Sequence, residues 1–176
     1  DIAPIQKFTA KVIRKFCLRN TNHIIAVSKN LKVFLIDNRV VKQEDKITVL
    51  PNAADTAAFN KQFDAQSIKA SLRLEDKFII AYTGTLQVWY AIEDLVSAFP
   101  LVIEKVPNAF LLIVGEGQAR EKLEKQVKQL GISDNVKLAG YVPHSKIPEF
   151  ISLADVVVAP YKEVGMAFFN SPIKIF

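Results

Sequence analysis

The sequence is poor in the residues that build covalent cross-links or metal centres. It contains one cysteine, Cys17, and two histidines among 176 residues. A single cysteine excludes a disulfide within the chain and fits a reducing compartment. Three such side chains are also too few for a zinc cluster of cysteine and histidine ligands. We therefore expect neither a disulfide framework nor a structural zinc site.

Long hydrophobic runs are also missing. No stretch reaches the roughly 18 apolar residues that are needed to span a bilayer, although half of all residues are hydrophobic. The first residues, DIAPIQKFTAKVIRKF, start with an acidic side chain and lack the continuous apolar stretch of a secretory signal. We expect a cytoplasmic protein with one domain or slightly more.

The charge of the chain is positive, with a formal net charge of +5, and the excess is uneven. Basic side chains crowd the first 20 residues, at Lys7, Lys11, Arg14, Lys15 and Arg19. Both a solvated helix face and a helix facing an anion or a membrane surface fit this pattern. No basic tract interleaved with aromatics resembles an RNA-binding sheet, so we expect no nucleic-acid partner.

From residue 78 onwards, strand-length apolar runs alternate with amphipathic helical segments. The runs are FIIAYTG, AFLLIVGEG, NVKLAGYV and DVVVAPY. Helices are predicted over residues 92–106, 120–131 and 145–154; Gly131 is expected to close the second one, and Ser145 to cap the third one. This alternation is typical of βαβ units and a parallel sheet. Earlier in the chain, the runs HIIAVS and KITVLPN predict two shorter strands. Ser28 is predicted to be the N-cap of the helix that follows the first of them, and residues 65–73 are predicted to form a weak helix. The predicted fold class is α/β, a Rossmann-like doubly wound parallel sheet that is incomplete at the C-terminus.

Ligands of such sheets bind beyond the carboxyl ends of the strands, and three of the four loops there have glycine at or near the strand end. Gly115-Glu116-Gly117 is similar to the start of a dinucleotide fingerprint, but the third glycine would fall at Arg120. A tight strand-to-helix turn is the favoured interpretation, with a pyrophosphate cradle as the alternative. No nucleophile–base arrangement is visible, so the catalytic residues stay unknown.

Six segments together resemble one family. In order they are HIIAVSKNL, KITVLPNAADTAAF, YTGTLQVWYAIEDLVSAF, FLLIVGEGQAREKLE, NVKLAGYVPHSKIPEFISLADVVVAPY and SPIKIF. In this order and spacing they resemble the retaining GT-B glycosyltransferases of family four, the glycosyl transferases group 1. The resemblance runs from about residue 23 to residue 176. It implies two Rossmann-like domains that face each other across a cleft, with the acceptor on the first and a nucleotide-diphosphate sugar on the second.

The resemblance also implies a division of this chain. Residues 1–50 would be the tail of the acceptor domain and the interdomain connection, and residues 51–176 a partial donor-binding domain. The segment PNAAD, residues 51–55, would anchor the connection through Asp55 and Phe59. The parent protein would be a hexosyltransferase-like enzyme of cell-envelope polysaccharide biosynthesis that needs no cofactor and no metal. Its acceptor would be a saccharide or a lipid-linked saccharide.

The donor-binding residues implied by the resemblance follow position by position. They are Gly84, Thr85, Tyr90, Gly140, Tyr141, Val142, Ser171, Pro172, Ile173 and Lys174. Thr85 and Tyr90 stand where the family has a basic residue and a phosphate-binding lysine, and Phe169 replaces the first of two paired glutamates. Either Lys174 compensates for the missing charges, or the parent protein is weak or inactive.

Two alternatives to a sugar-transferring enzyme stay open at this point. The same fold with altered phosphate contacts suits a non-catalytic nucleotide-binding or interaction module, a pseudoenzyme. Another GT-B enzyme, such as a sugar-nucleotide epimerase, shares the sheet but not the combination of PNAAD and SPIK. We expect these 176 residues to be inactive alone and to self-associate, and the basic first helix to make at most a reversible, peripheral contact with the inner membrane face.

Overall fold

The structure is a computed structural model that describes residues 4–59, 63–87 and 90–162. These residues fall into two compact units, which divide between Ala53 and Ala54. The division lies inside the PNAAD segment. The assignment of residues 1–50 to an acceptor domain and of residues 51–176 to a donor domain stays a prediction.

The first unit is built on a two-stranded parallel sheet. Helix α1 (Pro4–Asn20) is followed by strand β1 (Ile24–Ala26), helix α2 (Lys29–Asp37), a short 3-10 turn (Glu44–Lys46) and strand β2 (Ile47–Val49). Ser28 has extended backbone angles, and its side-chain oxygen accepts a hydrogen bond from the Leu31 N–H at 3.1 Å. The predicted N-cap of α2 is therefore confirmed.

The second unit contains the longer part of the fold. Helices α3 (Thr56–Phe59) and α4 (Ala65–Leu72) precede β3 (Phe78–Thr83), α5 (Ile92–Lys105), β4 (Ala109–Val114), α6 (Arg120–Gln129), β5 (Val136–Gly140), α7 (Ile147–Ser152) and β6 (Val156–Val157). The strands form one sheet in the order β5-β4-β3-β6, and every pair is parallel. Because the order reverses at β3, the sheet is doubly wound, as predicted.

Helices cover both faces of this sheet. All six residues of β4 are buried, and their alternate side chains enter two separate cores. Leu111 and Ile113 pack in one core together with α5 and α6. Leu112 and Val114 pack in the other core with apolar side chains of α4 and α7. The continuous apolar run in the sequence therefore reflects a central strand that is buried on both faces.

The helix ends are partly as predicted. Gly131 has φ +67°, and the N–H groups of Gly131 and Ile132 donate to the carbonyls of Lys128 and Val127. This double hydrogen bond closes α6 as a Schellman motif, and the predicted role of Gly131 is confirmed. The prediction that Ser145 caps α7 was wrong, because a 3-10 turn at His144–Lys146 precedes the helix and satisfies the first N–H groups.

The PNAAD segment leads directly into α3. The Asp55 carboxylate accepts the Ala57 N–H at 3.1 Å, and the Phe59 N–H donates to the Asp55 carbonyl at 3.1 Å. The Phe59 ring meets the edge of His144 with 6.0 Å between the ring centroids. Asp55 and Phe59 thus fasten the start of the second unit to its own body, while their role in an interdomain connection stays a prediction.

Candidate functional site

The carboxyl edge of the four-stranded sheet carries the loops that the sequence marks as a site. Beyond the ends of the strands, the loops stay hydrogen-bonded to one another. Gly84 N–H donates to the Val114 carbonyl at 2.9 Å, and Leu86 N–H donates to the Glu116 carbonyl at 2.8 Å. Gly115 N–H donates to the Gly140 carbonyl at 2.8 Å. The ends of β3, β4 and β5 therefore form one continuous backbone surface, which brings Gly84 and Gly140 to the same edge.

The two glycines of the loop after β4 are required by this close approach. Gly115 has φ +144°, and a Cβ atom there would lie 1.8 Å from the Gly84 carbonyl oxygen. Gly117 has φ +157°, and a Cβ atom there would lie 2.3 Å from the Leu86 carbonyl oxygen. Helix α6 starts three residues later. The backbone of the neighbouring loop explains both glycines, which supports the tight-turn interpretation of this segment.

Thr85 is held at the backbone and exposed at the side chain. The hydroxyl of the fully buried Tyr82 donates to the Thr85 carbonyl at 2.9 Å. Burial raises the pKa of Tyr82 far above its ordinary value, and the nearby Tyr90 and Tyr161 add to the effect. The hydroxyl therefore remains a donor at neutral pH. The site presents a neutral threonine on an anchored loop, at the position where the resemblance implies a basic residue.

Tyr90 packs against Tyr161 at the point where the strand order reverses. The two residues form an isolated antiparallel bridge, and their rings meet edge to face with 5.2 Å between centroids. Burial raises the pKa of Tyr161, and Tyr90 contributes to the same shift. Tyr90 therefore joins the loop after β3 to the segment after β6. The resemblance places a phosphate-binding lysine at this position, and the structure has a neutral aromatic pair.

The loop after β5 is shaped by an ion pair that the sequence analysis missed. Arg120 Nη1 donates to Glu116 Oε1, and Arg120 Nε donates to Glu124 Oε1 at 2.8 Å. Gly140 has φ +80°, and a Cβ atom there would lie 3.1 Å from Glu116 Oε1 and 3.3 Å from Arg120 Nη1. Gly140 therefore lies closely against the pair. The (i, i+4) spacing of Glu116 and Arg120 was the available signal.

The remaining predicted residues separate into three groups. The Tyr141 side chain is 76% exposed at this edge, whereas Val142 packs against the core that contains Leu112. Ser171, Pro172, Ile173 and Lys174, together with Phe169, lie outside the described residues, so their predicted roles stay predictions. The structure brings five of the predicted residues to the carboxyl edge of one sheet: Gly84, Thr85, Tyr90, Gly140 and Tyr141. Their contact with a sugar donor stays a prediction.

Within residues 4–59, 63–87 and 90–162, no three His, Cys, Asp or Glu side chains come together in a way that could hold a metal ion. Over the same residues, no helix has both the length and the apolar character to cross a membrane. Independence from metals and cofactors stays a prediction.

The open parallel sheet with its reversed strand order is a Rossmann-like architecture, and the α/β fold class is confirmed. Residues 64–170 match the family described as glycosyl transferases group 1. Because this match covers more than half of the chain, the protein belongs to that family.

Individual relatives agree with this assignment. The chain is 32% identical over 112 residues to an alpha-D-kanosaminyltransferase of Streptomyces kanamyceticus, covering 60% of this chain and 29% of that protein. It is 33% identical over 151 residues to a glycosyltransferase of Methanocaldococcus jannaschii, covering 81% of this chain and 38% of that protein. The chain thus spans about a third of the length of these relatives.

A solved structure shows the same fold. The HepE protein of Anabaena, crystallised in complex with UDP-glucose, superposes with a TM-score of 0.74 over 92% of this chain and 45% of that one. The two sequences are 20% identical, so the likeness concerns the fold. The predicted resemblance to GT-B glycosyltransferases is confirmed.

Proposed function

We propose that the protein transfers a hexose from a nucleotide-diphosphate sugar to a saccharide or lipid-linked acceptor, with retention of configuration and without a metal. In this proposal the carboxyl edge of the four-stranded sheet binds the donor. The observation that carries it is the joined backbone surface formed by the loops after β3, β4 and β5. This surface lies where open parallel sheets bind their ligands. Membership of the glycosyl transferases group 1 supports the transfer of a sugar.

The donor diphosphate would meet unusual surroundings at this edge. The resemblance places two positive charges over the phosphates, whereas Thr85 and Tyr90 are neutral. Hydrogen-bond donors aimed at developing negative charge lower the barrier to such transfers, and each contributes about 3–4 kcal/mol. Lys174 is the cation that we expect to take over this role. We therefore expect weaker binding of the diphosphate than a site with three cations would give.

Base recognition is proposed at the loop after β5. Tyr141 is exposed beside Gly140, whose backbone is fixed by its hydrogen bond to Gly115. An exposed aromatic ring next to ordered backbone groups suits the stacking and hydrogen bonding that a nucleotide base requires. The identity of the base follows from which nucleotide binds.

Calorimetric titration with UDP, GDP and ADP, each compared with its monophosphate, tests the donor site. We expect saturable binding that favours one diphosphate. Tyr141→Ala should weaken this binding at least about threefold, because it removes the proposed contact with the base. The matched control is Leu101→Ala on the exposed side of α5, where the side chain is 65% exposed; it should leave affinity unchanged. No saturable binding up to millimolar concentration would contradict the donor site.

Transfer itself needs a separate measurement. Incubation with the preferred donor and a saccharide acceptor, followed by NMR of the anomeric proton, shows whether the product keeps the donor's configuration. An inverted product would refute the proposed retention. An unchanged rate after treatment with a chelator is expected if no metal takes part.

A further inference from the structure

The first unit contains a cavity that the proposed donor site does not use. It has a volume of about 300 Å³ and is lined by Arg19, Val41, Lys42, Gln43 and Lys46. We call it the cationic pocket. Its walls come from the end of α1, the loop after α2 and the turn before β2. These segments lie at the amino ends of the two parallel strands. Parallel sheets usually bind their ligands at the opposite edge, where the strands have their carboxyl ends.

Two of its cations are oriented by backbone carbonyls. Arg19 Nε donates to the Val40 carbonyl at 3.3 Å, and Arg19 Nη2 donates to the Arg39 carbonyl at 3.0 Å. Lys46 Nζ donates to the Thr21 carbonyl at 3.3 Å. An arginine has five N–H donors and a lysine has three, so both side chains keep donors for a ligand. Carbonyl oxygens carry no net charge, so the positive charges of the pocket are retained.

Among the residues that the structure describes, none that lines the cavity is acidic. Two carboxylates, Glu44 and Asp45, precede Lys46 in sequence; neither lines the cavity, and Glu44 pairs with Lys32 at 3.2 Å. Lys42 is exposed at the rim. Three cationic side chains therefore share one cavity, and the two carboxylates that precede Lys46 stay outside its lining. Such an arrangement favours an anion with several acceptor oxygens.

The charge of the surrounding unit points the same way. Residues 1–53 contain ten lysine and arginine side chains against four acidic ones. The other 123 residues contain 13 basic against 14 acidic side chains. The whole positive excess of the protein thus belongs to the part of the sequence that holds the pocket. A field of one sign concentrates counter-ions at the surface and speeds their association.

We propose that the cationic pocket is a second anion site, which takes a phosphate-bearing ligand separately from the sugar donor. Phosphate oxygens accept hydrogen bonds from guanidinium and ammonium groups at once, and the planar guanidinium of Arg19 suits two of them. The source of the phosphate is either a soluble phosphate compound or the headgroup of an anionic lipid. Both present the same chemistry to the pocket.

Inorganic pyrophosphate is the probe for a first experiment on the full chain. We expect saturable binding in calorimetry that weakens as salt rises, with NMR shifts concentrated at the amides of residues 39–46. Lys42→Gln and Lys46→Gln should each weaken binding about three- to tenfold. Lys29→Gln removes the same charge from the same unit at the start of α2, at the other end of the helix, and should leave the affinity unchanged. Equal losses in all three variants would overturn the proposal, because only the general field would then attract the anion.

A second experiment separates the two sources and the donor site. Vesicles of phosphatidylglycerol, compared with neutral phosphatidylcholine vesicles, test the headgroup. If the protein sediments with the anionic vesicles and Lys42→Gln reduces this sedimentation, the ligand is a lipid headgroup. If the protein binds pyrophosphate but not the vesicles, the ligand is a soluble phosphate compound. Binding of the preferred nucleoside diphosphate should be the same in Lys42→Gln and the native protein. If neither probe binds in a manner sensitive to Lys42 and Lys46, the proposal is refuted, whatever the result at the donor site.

Discussion

Replacing Gly115 by alanine tests whether the loops after β3 and β4 really are in backbone contact. The new Cβ atom would lie 1.8 Å from the Gly84 carbonyl oxygen, and contacts under 3.0 Å force a shift. The carbonyl belongs to the backbone, so no side chain can rotate away to relieve the clash. The two loops must separate, or Gly115 must leave its positive φ.

The expected loss of stability has two parts. An alanine at positive φ costs about 1–2 kcal/mol of backbone strain. Separating the loops also breaks or stretches the Gly84–Val114 and Gly115–Gly140 hydrogen bonds, each worth about 1 kcal/mol. Gly115→Ala should therefore lower the free energy of unfolding by about 3–4 kcal/mol. For a chain of this size, that corresponds to a fall in Tm of about 10 °C.

Gly131 is a matched control within the same unit. Its φ is +67°, but a Cβ atom there would meet nothing within 4 Å. Gly131→Ala should therefore cost only the strain, about 1 kcal/mol, or a fall in Tm of about 3 °C. Urea and thermal unfolding followed by circular dichroism measure both variants, and hydrogen exchange at the β4 amides assigns the change to the second unit. Equal losses in the two variants would refute the close approach of the loops.

Three further predictions concern the second unit. Tyr90→Lys adds a cation and should raise the affinity for the preferred nucleoside diphosphate, as measured by calorimetry; unchanged affinity would argue against a phosphate position there. The same change removes the ring contact with Tyr161 and should lower the free energy of unfolding in urea by about 1 kcal/mol. Because burial raises the pKa of Tyr82 and Tyr161, the stabilisation that their neutral forms provide is complete below pH 10 and is lost as pH rises above it. The fall in stability between pH 8 and pH 11 should be smaller in Tyr82→Phe than in the native protein, and equal falls would contradict the buried hydroxyl. Asp155→Ala should cost about 2 kcal/mol in urea unfolding, because the buried Ile79 N–H then loses its acceptor at 2.7 Å, whereas Asp155→Asn keeps an oxygen and should cost less.

The sheet of the second unit was predictable because its strands differ sharply from their surroundings. Six consecutive apolar residues form β4, and a central parallel strand needs that composition because both of its faces are covered. The end of α6 was equally clear, since Gly131 supplies the left-handed conformation that closes the helix. Local chemistry determined these features, so a single sequence was enough to locate them.

Contacts that depend on strand order were not predictable in the same way. Tyr90 meets Tyr161 because β6 pairs with β3 and not with the far edge at β5. Nothing in the spacing of the apolar runs determines that choice. The start of α7 was missed for a local reason, since a 3-10 turn used the N–H groups that Ser145 was expected to cap. Likewise, the cationic pocket joins Arg19 to Lys42 and Lys46 across two loops, and only the folded unit brings them together.

The hydrogen bonds that continue past the ends of β3 and β4 have a consequence for the energetics of binding. Fixing the backbone of one residue costs about 1–2 kcal/mol of conformational entropy. At Gly84 and Leu86 this cost is met when the protein folds, because their N–H groups are already held by Val114 and Glu116. A ligand that arrives at this edge meets backbone that is ordered in advance. Its association should proceed without a slow conformational step and with a small loss of chain entropy.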